Sequence, residues 1–296
     1  MADPIRVRVL RCGYAQLPEN ALYGSGSGVS LGRTTRQFLA PSGRRVTVPV
    51  NAFLVEHPKG RVLVDCGWPR ALSPNGAYDP AAVRSLLPAH LARYYRPWVP
   101  AGMTAREQLA AMGLRPEDLD AVILTHFDPD HIGALRELAG AKQIYVPEDE
   151  YFWTCRTVYR LRQPQRFYSG VPMVRFWYRG SDAGPNRWAY DLFGDGTILC
   201  VSVPGHTDGM ASVLVSNGEL LEHKLRFVLL TSDAAFTPRN WEQMIPPGAG
   251  FDASLQRRGL EWIRKQAARE GCLGVFTSHD PDLPPQTVEI PMLDHD

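Results

Sequence analysis

The 296-residue chain has little cysteine, no marked excess of either charge and no long apolar run. Its five cysteines are odd in number and widely spaced, which argues against a disulfide framework and a thiolate zinc site. A net charge of +1 gives no reason to expect binding to nucleic acid or to an anionic membrane. No segment approaches the roughly 20 apolar residues of a membrane span, and the amino-terminal residues lack the apolar core of a signal peptide. We therefore expect a cytoplasmic protein without nucleic-acid or membrane partners.

The length allows one large domain, and we expect residues 1–296 to form it, with insertions at about 76–115 and 151–190. Prolines interrupt the helical spacing of the first insertion, which predicts several short helices. The second insertion is rich in aromatic residues and arginine and shows little periodicity. It is interpreted as a lid or a substrate-binding segment. Its aromatic side chains fit an acyl-chain pocket, the core or a dimer contact, and the sequence leaves these alternatives open.

Four apolar strand-like runs each end in a residue that can bind a metal. These residues are His126, His206, Asp233 and His279, and a fifth run ends at Asp65, before a turn that Gly67 permits. Functional side chains commonly follow the carboxyl ends of strands in α/β arrangements. The spacing therefore predicts that these residues meet at one edge of the fold.

The densest signal places four ligand-type side chains within six positions, at His126, Asp128, Asp130 and His131. Imidazole nitrogens with carboxylate oxygens suit Zn²⁺, Fe or Mn²⁺. An alternative is that the two aspartates only form turn hydrogen bonds at a helix start. The later His and Asp residues after apolar runs favour the metal interpretation. A helix is predicted to follow, over Ile132–Leu138.

These motifs resemble the metallo-β-lactamase superfamily, whose pattern is H-x-H-x-D-H followed by Gly-His, Asp and His. The resemblance extends to residues 63–67 and 204–209. It implies an α+β fold, the αββα sandwich of two mixed sheets with helices outside. It also implies a binuclear metal site of two divalent metal ions, with zinc as the first expectation. The implied ligands are His126, Asp128 and His206 for the first ion, Asp130, His131 and His279 for the second, and Asp233 between them.

Asp128 departs from the family pattern, because most hydrolases of the family carry histidine there. An anionic oxygen replaces a neutral nitrogen, which favours a harder ion such as Fe or Mn. Aspartate is also shorter than histidine, so a single-metal enzyme is an alternative. Flavodiiron members carry a carboxylate at this position, which makes a diiron redox enzyme dependent on an external reductase a second hypothesis. A metal-poor binding protein is a third.

The segment that follows Asp233 resembles the N-acyl-homoserine lactonase branch. The resemblance implies a metal-dependent hydrolase that opens a lactone or cleaves a related carboxylic ester by attack of hydroxide generated at the metals. Asp130 and Asp233 are the expected catalytic residues. Phe236 stands where that branch usually has tyrosine, and we expect it to contact substrate without donating a hydrogen bond. The expected partner is a small lactone or ester, and a homodimer is a further expectation.

Overall fold

The computed structural model describes residues 3–24, 31–154, 156–218 and 225–292. Within these residues the strands form two mixed sheets, of seven and six strands. The strands are β1 (Ile5–Pro18), β2 (Arg45–His57), β3 (Gly60–Val64), β4 (Ala121–Ile123), β5 (Ile144–Pro147), β6 (Val174–Phe176), β7 (Arg179–Gly180), β8 (Trp188–Asp191), β9 (Ile198–Ser202), β10 (Ala211–Ser216), β11 (Phe227–Leu230), β12 (Cys272–Phe276) and β13 (Thr287–Ile290). The first sheet has the order β13-β1-β2-β3-β4-β5-β6 and the second the order β12-β11-β10-β9-β8-β7.

Short helices surround the two sheets. They are α1 (Glu19–Leu22), α2 (Leu31–Leu39), α3 (Pro80–Leu86), α4 (Ala89–Tyr95), α5 (Ala105–Ala111), α6 (Pro129–Ile132), α7 (Glu148–Thr154), α8 (Thr157–Arg160), α9 (Pro238–Glu242) and α10 (Ala253–Ala267). Local sequence explains several of their starts. In α5, for example, Thr104 and Glu107 form a reciprocal capping box. No helix in the described part of the chain is long and apolar enough to cross a membrane.

Three apolar layers hold this architecture together. The middle layer lies between the sheets and joins residues such as Val55 of the first sheet to Val213 of the second. An outer layer packs Leu54 and its neighbours under α3 to α5. The other outer layer packs β9 to β11 against Leu260 and Ile263 of α10. Alternating side chains therefore bury both faces of each sheet, and the predicted αββα sandwich is confirmed.

Five strands end at the same edge between the sheets. Asp65 follows β3, His126 follows β4, His206 follows β9, Asp233 follows β11 and His279 follows β12. Parallel pairing of β3 with β4, and of β11 with β12, aligns their carboxyl ends. The strand ends thus bring residues that are distant in sequence to one place.

The turn after β3 needs glycine at position 67, as the sequence indicates. Gly67 has a φ of +69°, and a Cβ there would lie 2.2 Å from the Cβ of Cys12. The preceding Asp65 also has a positive φ, of 60°, although it is not glycine. Such backbone strain persists where surrounding contacts fix the residue, and it often marks functional sites.

The helix predicted over Ile132–Leu138 is wrong in its bounds. α6 begins earlier, at Pro129, and ends at Ile132, and a separate 3-10 turn covers Leu135–Leu138. The helix stops because the backbone amide of Ala134 donates to the carbonyl of Gly67, at 2.9 Å, and so leaves the helical pattern. Proline at the first turn explains the early start, since its fixed φ suits that position.

The two proposed insertions differ in regularity. Residues 76–115 contain the three short helices α3, α4 and α5, as the prolines predict. In residues 151–190, Phe167 and Phe176 are buried in the core, whereas Phe152 and Trp177 are exposed. Part of the aromatic segment is therefore core. The single-domain division stays a prediction.

Candidate metal centre

The structure brings all seven predicted ligand residues together in one buried cluster. Their candidate ligand atoms form two groups, and within each group these atoms lie within 4.8 Å of one another. We name the first group the Arg162 half, after an arginine that bonds to its Asp128, and the second the Asp130 half. The Arg162 half contains His126, Asp128, His206 and Asp233, whose Oδ2 lies 3.3 Å from the Nε2 of His206. The Asp130 half contains Asp130, His131 and His279. The Oδ1 of Asp233 adjoins this second group, next to the Nε2 atoms of His131 and His279.

Three histidine rings are oriented by oxygen atoms that can only accept hydrogen bonds. The Nδ1 of His131 lies 2.8 Å from Oδ2 of Asp65, and the Nδ1 of His279 lies 2.9 Å from the carbonyl oxygen of Pro49. The Nδ1 of His206 lies 2.8 Å from the carbonyl oxygen of Ala249. Each Nδ1 therefore carries a proton, and each Nε2 faces the cluster as in protein metal sites.

In the Asp130 half, four buried atoms have no hydrogen-bond partner among the described residues. They are Nε2 of His131, Nε2 of His279, Oδ1 of Asp130 and Oδ1 of Asp233. The other oxygen of Asp130, Oδ2, lies 3.4 Å from the Nε2 of His279. The Oδ1 of Asp233 lies 3.2 Å from the Nε2 of His131 and 3.4 Å from that of His279. Unpaired buried polar atoms are costly, and two nitrogens with two carboxylate oxygens suit a divalent cation. This half fits a metal.

Protonation is the alternative to a metal in the Asp130 half. Burial opposes the charge of His131, but the carboxylates of Asp233 and Asp65 raise its pKa well above the ordinary range. Burial likewise opposes the charge of His279, and Asp233 raises its pKa. A proton thus neutralises part of the negative charge, and a bound cation would displace it.

The Arg162 half already contains a cation. Arg162, two residues after the end of α8, is 3% exposed and forms a bidentate pair with Asp128. Its Nε donates to Oδ1 and its Nη2 to Oδ2, both at 2.5 Å. Nη1 donates to the carbonyl oxygen of His206 at 3.2 Å, and Nη2 also contacts the Nε2 of His206. Two of the four predicted ligands in this half are therefore bonded to a guanidinium.

The ion pair sets the charge of Asp128. Burial alone would raise the pKa of this carboxyl, but the guanidinium of Arg162 holds it well below its usual range. His126 behaves differently, because burial and the nearby His131 lower its pKa to about 4. The Arg162 half therefore contains an ionised aspartate, a charged arginine and a neutral histidine.

A hydrogen-bond network through the hydroxyls of Thr125 and Ser232 links the two halves. Asp65 accepts from the backbone amide of Thr125 at 2.9 Å and from its hydroxyl at 2.9 Å and 3.0 Å. The hydroxyl of Ser232 donates to that of Thr125 at 2.8 Å. Ser232, like Asp65, has a positive φ, of 50°. The strained turns before Cys66 and Asp233 are thus tied to the strand end that carries His126.

Glu150 on α7 is a second buried acid, and it ties the ligand loops together. Its Oε1 accepts from the amide of Phe127 at 3.1 Å and from Nε2 of Gln163 at 3.0 Å. Its Oε2 accepts from the amide of Gly209 at 3.3 Å, where a Cβ would lie 2.0 Å from the backbone nitrogen of Glu150. Burial raises the pKa of Glu150 to about 7. This residue fixes the loops of His126, Arg162 and His206 relative to one another.

Phe236 covers both halves of the cluster. Its ring centroid lies 5.0 Å from that of His279 and 5.5 Å from that of His206, and the side chain is buried. The side-chain oxygen of Asn240 accepts from its backbone amide at 3.0 Å and fixes the turn. The ring offers an apolar wall without a hydrogen-bond donor. Its contact with substrate stays a prediction.

The sequence reasoning missed Arg162 and Glu150. Arg162 lies 34 positions from Asp128 in a segment without periodicity. One signal was present, because an anionic residue at a position where histidine is usual calls for a nearby cation, and the segment at 151–190 is rich in arginine. Which arginine reaches the cluster could not be read from the pattern.

Comparison with known proteins agrees with this geometry. Residues 45–258 match the family model described as the metallo-beta-lactamase superfamily. An N-acyl homoserine lactonase, AttM, of Azorhizobium caulinodans is 29% identical over 264 residues, which cover 84% of this chain and 89% of the relative. A probable metallo-hydrolase of Mycobacterium bovis is 30% identical over 310 residues, covering 90% of this chain and 92% of the relative.

Solved structures share the fold. An N-acyl homoserine lactone hydrolase with the product N-hexanoyl-L-homoserine bound at its catalytic metal centre superposes with a TM-score of 0.70 at 21% identity, covering 95% of both chains. AidC, a dizinc quorum-quenching lactonase, superposes with a TM-score of 0.59 at 14% identity, covering 99% of this chain and 96% of AidC. At such identities the likeness concerns the fold.

Proposed function

This chain belongs to the metallo-beta-lactamase superfamily, and from that premise we propose that it is a metal-dependent hydrolase that opens a lactone or cleaves a related carboxylic ester. The observation that carries the proposal is the Asp130 half. Candidate ligand atoms of Asp130, His131 and His279 lie within 4.8 Å of one another there, and these residues and Asp233 have buried side-chain atoms without a hydrogen-bond partner among the described residues. The similarity to N-acyl homoserine lactonases over most of the chain supports lactones as the substrate class.

A divalent ion, which we propose to be zinc, would be held by Asp130, His131, His279 and Asp233. When bound, it supplies Lewis acidity and lowers the pKa of a water molecule toward neutrality. Asp65 keeps the His131 ring turned toward this position, through the hydrogen bond to Nδ1. The carbonyl oxygen of Pro49 does the same for His279.

Asp130 and Asp233 are the proposed catalytic carboxylates. Burial raises the pKa of Asp130 to about 6, so its carboxylate can accept a proton near neutral pH. We assign this carboxylate the proton that leaves the attacking water. Asp233 lies between the two halves and orients that water. As the ester bond breaks, the same proton passes from Asp130 to the leaving oxygen. A lactone then gives a hydroxy acid, and an acyclic ester gives a carboxylic acid and an alcohol.

Phe236 makes the leaving group depend on Asp130, because a phenyl ring cannot donate a proton or a hydrogen bond. A substrate with a polar group at this position gains nothing from the ring, whereas an apolar substituent packs against it. We therefore propose a lactone or ester with an apolar group near the scissile bond. Preference for an N-acyl homoserine lactone is not required.

The other hypotheses receive less support. The lactonase relatives favour hydrolysis over a diiron redox reaction. A metal-poor binding protein would gain nothing from four buried, unpaired ligand atoms. Zinc as the physiological ion, a homodimer and a cytoplasmic location stay predictions.

A hydrolysis screen with chelation tests the proposal. N-hexanoyl homoserine lactone, γ-butyrolactone and p-nitrophenyl esters are offered to the protein before and after removal of metal, and acid release is followed by pH-stat. We expect turnover that disappears on chelation and returns with Zn²⁺. His279→Ala should abolish it, whereas His57→Asn, far from the cluster, should not. Absence of metal-dependent turnover on all three classes would overturn the proposal.

A further inference from the structure

Asp128 and Arg162 form a buried, bidentate ion pair at the position that the family pattern assigns to the first metal ion. Asp128 uses both carboxylate oxygens on one guanidinium, at 2.5 Å each. Fork-to-fork geometry of this kind is the strongest arrangement between arginine and a carboxylate. The pair is electrically neutral, and both side chains are 3% exposed. Both oxygens of Asp128 are therefore already bonded to the guanidinium, and Oδ2 also lies 3.3 Å from the Nε2 of His206.

His206 is also satisfied by Arg162. Its Nδ1 donates to the carbonyl of Ala249, so its Nε2 has a lone pair that must accept. The Nη2 of Arg162 contacts that Nε2, and Nη1 donates to the carbonyl oxygen of the same residue. The guanidinium thus contacts two of the three residues that the family pattern assigns to the first metal ion, Asp128 and His206.

The surroundings of the guanidinium are built for a cation. Its central carbon lies 5.2 Å from the ring centroid of Phe38 and 5.3 Å from that of Phe251. Aromatic faces attract buried cations. The backbone amide of Arg162 donates to the carbonyl of Tyr159 at 2.9 Å, and the adjacent Gln163 bonds to Glu150. Backbone and side-chain contacts therefore place the guanidinium from several sides.

His126 is oriented by hydroxyl groups. Its Nδ1 lies 3.1 Å from the hydroxyl of Thr125 and 3.4 Å from that of Ser232. Thr125 donates its proton to Asp65 and Ser232 donates its proton to Thr125, so the Nδ1 of His126 must itself carry a proton. Its Nε2 lies 3.7 Å from Asp128 and 3.8 Å from Asp233 and has no hydrogen-bond partner among the described residues. Of the four ligand residues in this half, Arg162 therefore leaves His126 and the shared Asp233 unbonded to the guanidinium, fewer than the four ligands usual for zinc.

From the contacts of Arg162 with Asp128 and His206 we propose that its guanidinium is the resident cation of the Arg162 half, and that each chain binds one divalent metal ion, in the Asp130 half. The proposal concerns metal number and the role of Arg162. It rests on the metal centre of the proposed function but not on any substrate. Asp128 stands in place of histidine because a carboxylate, unlike a neutral imidazole, balances the charge of a guanidinium.

Metal counting tests the proposal without reference to catalysis. The full-length protein is stripped with a chelator, titrated with Zn²⁺ alone, desalted and analysed by plasma mass spectrometry, with calorimetry as a second count. We expect one ion per chain in the natural protein and in Arg162→Lys. We expect two in Arg162→Ala, where Asp128 and His206 are released.

Two further variants control for misfolding of Arg162→Ala and for the loss of an arginine as such. Asp128→His combined with Arg162→Ala removes both charges of the pair and restores the family pattern, so it should fold and bind two ions even if Arg162→Ala does not fold. Arg70→Ala removes another arginine, which pairs with Glu107 at 2.6 Å away from the cluster, and should keep one ion. Two ions in the natural protein, or one ion in the double variant, would overturn the proposal. Failure of the hydrolysis screen would leave these counts unchanged.

Discussion

The two halves of the cluster solve the same electrostatic problem in different ways. Both contain buried carboxylates and imidazoles, which need positive charge nearby. In the Arg162 half the chain supplies that charge itself, through a side chain from a distant segment. In the Asp130 half four side-chain atoms have no hydrogen-bond partner among the described residues, against one, the Nε2 of His126, in the Arg162 half. On our proposal, members of one family with the same strand-end motif bind different numbers of metal ions.

The largest expected difference between the halves comes from removing the ion pair of Arg162 and Asp128. In metal-free protein, Arg162→Ala should lower the free energy of unfolding by about 3–5 kcal/mol, because it leaves the carboxylate of Asp128 buried and unpaired. Asp130→Asn should have a much smaller effect, because Asp130 has no bonded guanidinium and its carboxyl, with a pKa raised to about 6, loses little when its charge is removed. Denaturant unfolding of the two metal-free variants measures both. Equal effects of the two substitutions would contradict the distinction between the halves.

Glu150 makes the stability of the Arg162 half depend on pH, because its carboxyl bonds the loops that carry His126, Arg162 and His206. Burial raises the pKa of its carboxyl to about 7, above the value of 4.5 for an exposed glutamate. Between these two values the folded protein keeps a proton that the unfolded chain releases. The resulting contribution to the free energy of unfolding is full below pH 4.5 and is lost as the pH rises through 7. The loss should reach about 3 kcal/mol, at 1.36 kcal/mol per pKa unit.

Unfolding curves between pH 5 and pH 8 check this expectation. Glu150→Gln, which cannot ionise, should make the free energy of unfolding less dependent on pH. Glu148→Gln on the same helix should retain the dependence of the natural protein. A pH dependence that is the same in Glu150→Gln and in the natural protein would show that Glu150 is not the titrating group.

Asp65 provides a test of the Asp130 half, because the ring that it bonds directly is that of His131. Asp65→Asn should weaken Zn²⁺ binding about 10- to 100-fold, as expected when the partner of a metal-binding histidine is weakened. Asparagine tolerates the positive φ at this position, so the fold should persist. Competition with a chelating dye gives the affinity. Asp79→Asn, at the start of α3, is the control and should bind as the natural protein does.

The smallest expected effect is at Phe236, which contacts one histidine of each half. Phe236→Tyr adds a hydroxyl that can bond to a polar group of the substrate, a contribution of about 1 kcal/mol. We expect kcat/KM for N-hexanoyl homoserine lactone to rise roughly fivefold relative to a p-nitrophenyl ester. A parallel change for both substrates would show that the ring does not select between them.

The sequence predicted the fold and the strand-end positions of the ligand residues well, for a physical reason. Apolar runs that end in His126, His206, Asp233 and His279 are local patterns, and parallel pairing then aligns the ends. The helix over Ile132–Leu138 was wrong because a contact to Gly67, distant in sequence, decides where the helix stops. Arg162 was missed for a similar reason. Its role depends on a loop conformation that no local period encodes.

Crystallography of zinc-soaked protein, with data collected at the zinc absorption edge, tests the central claim most directly. The account predicts one anomalous peak per chain, among Asp130, His131, His279 and Asp233, with the guanidinium of Arg162 bonded to Asp128. Two peaks, with Arg162 turned away from Asp128, would contradict it.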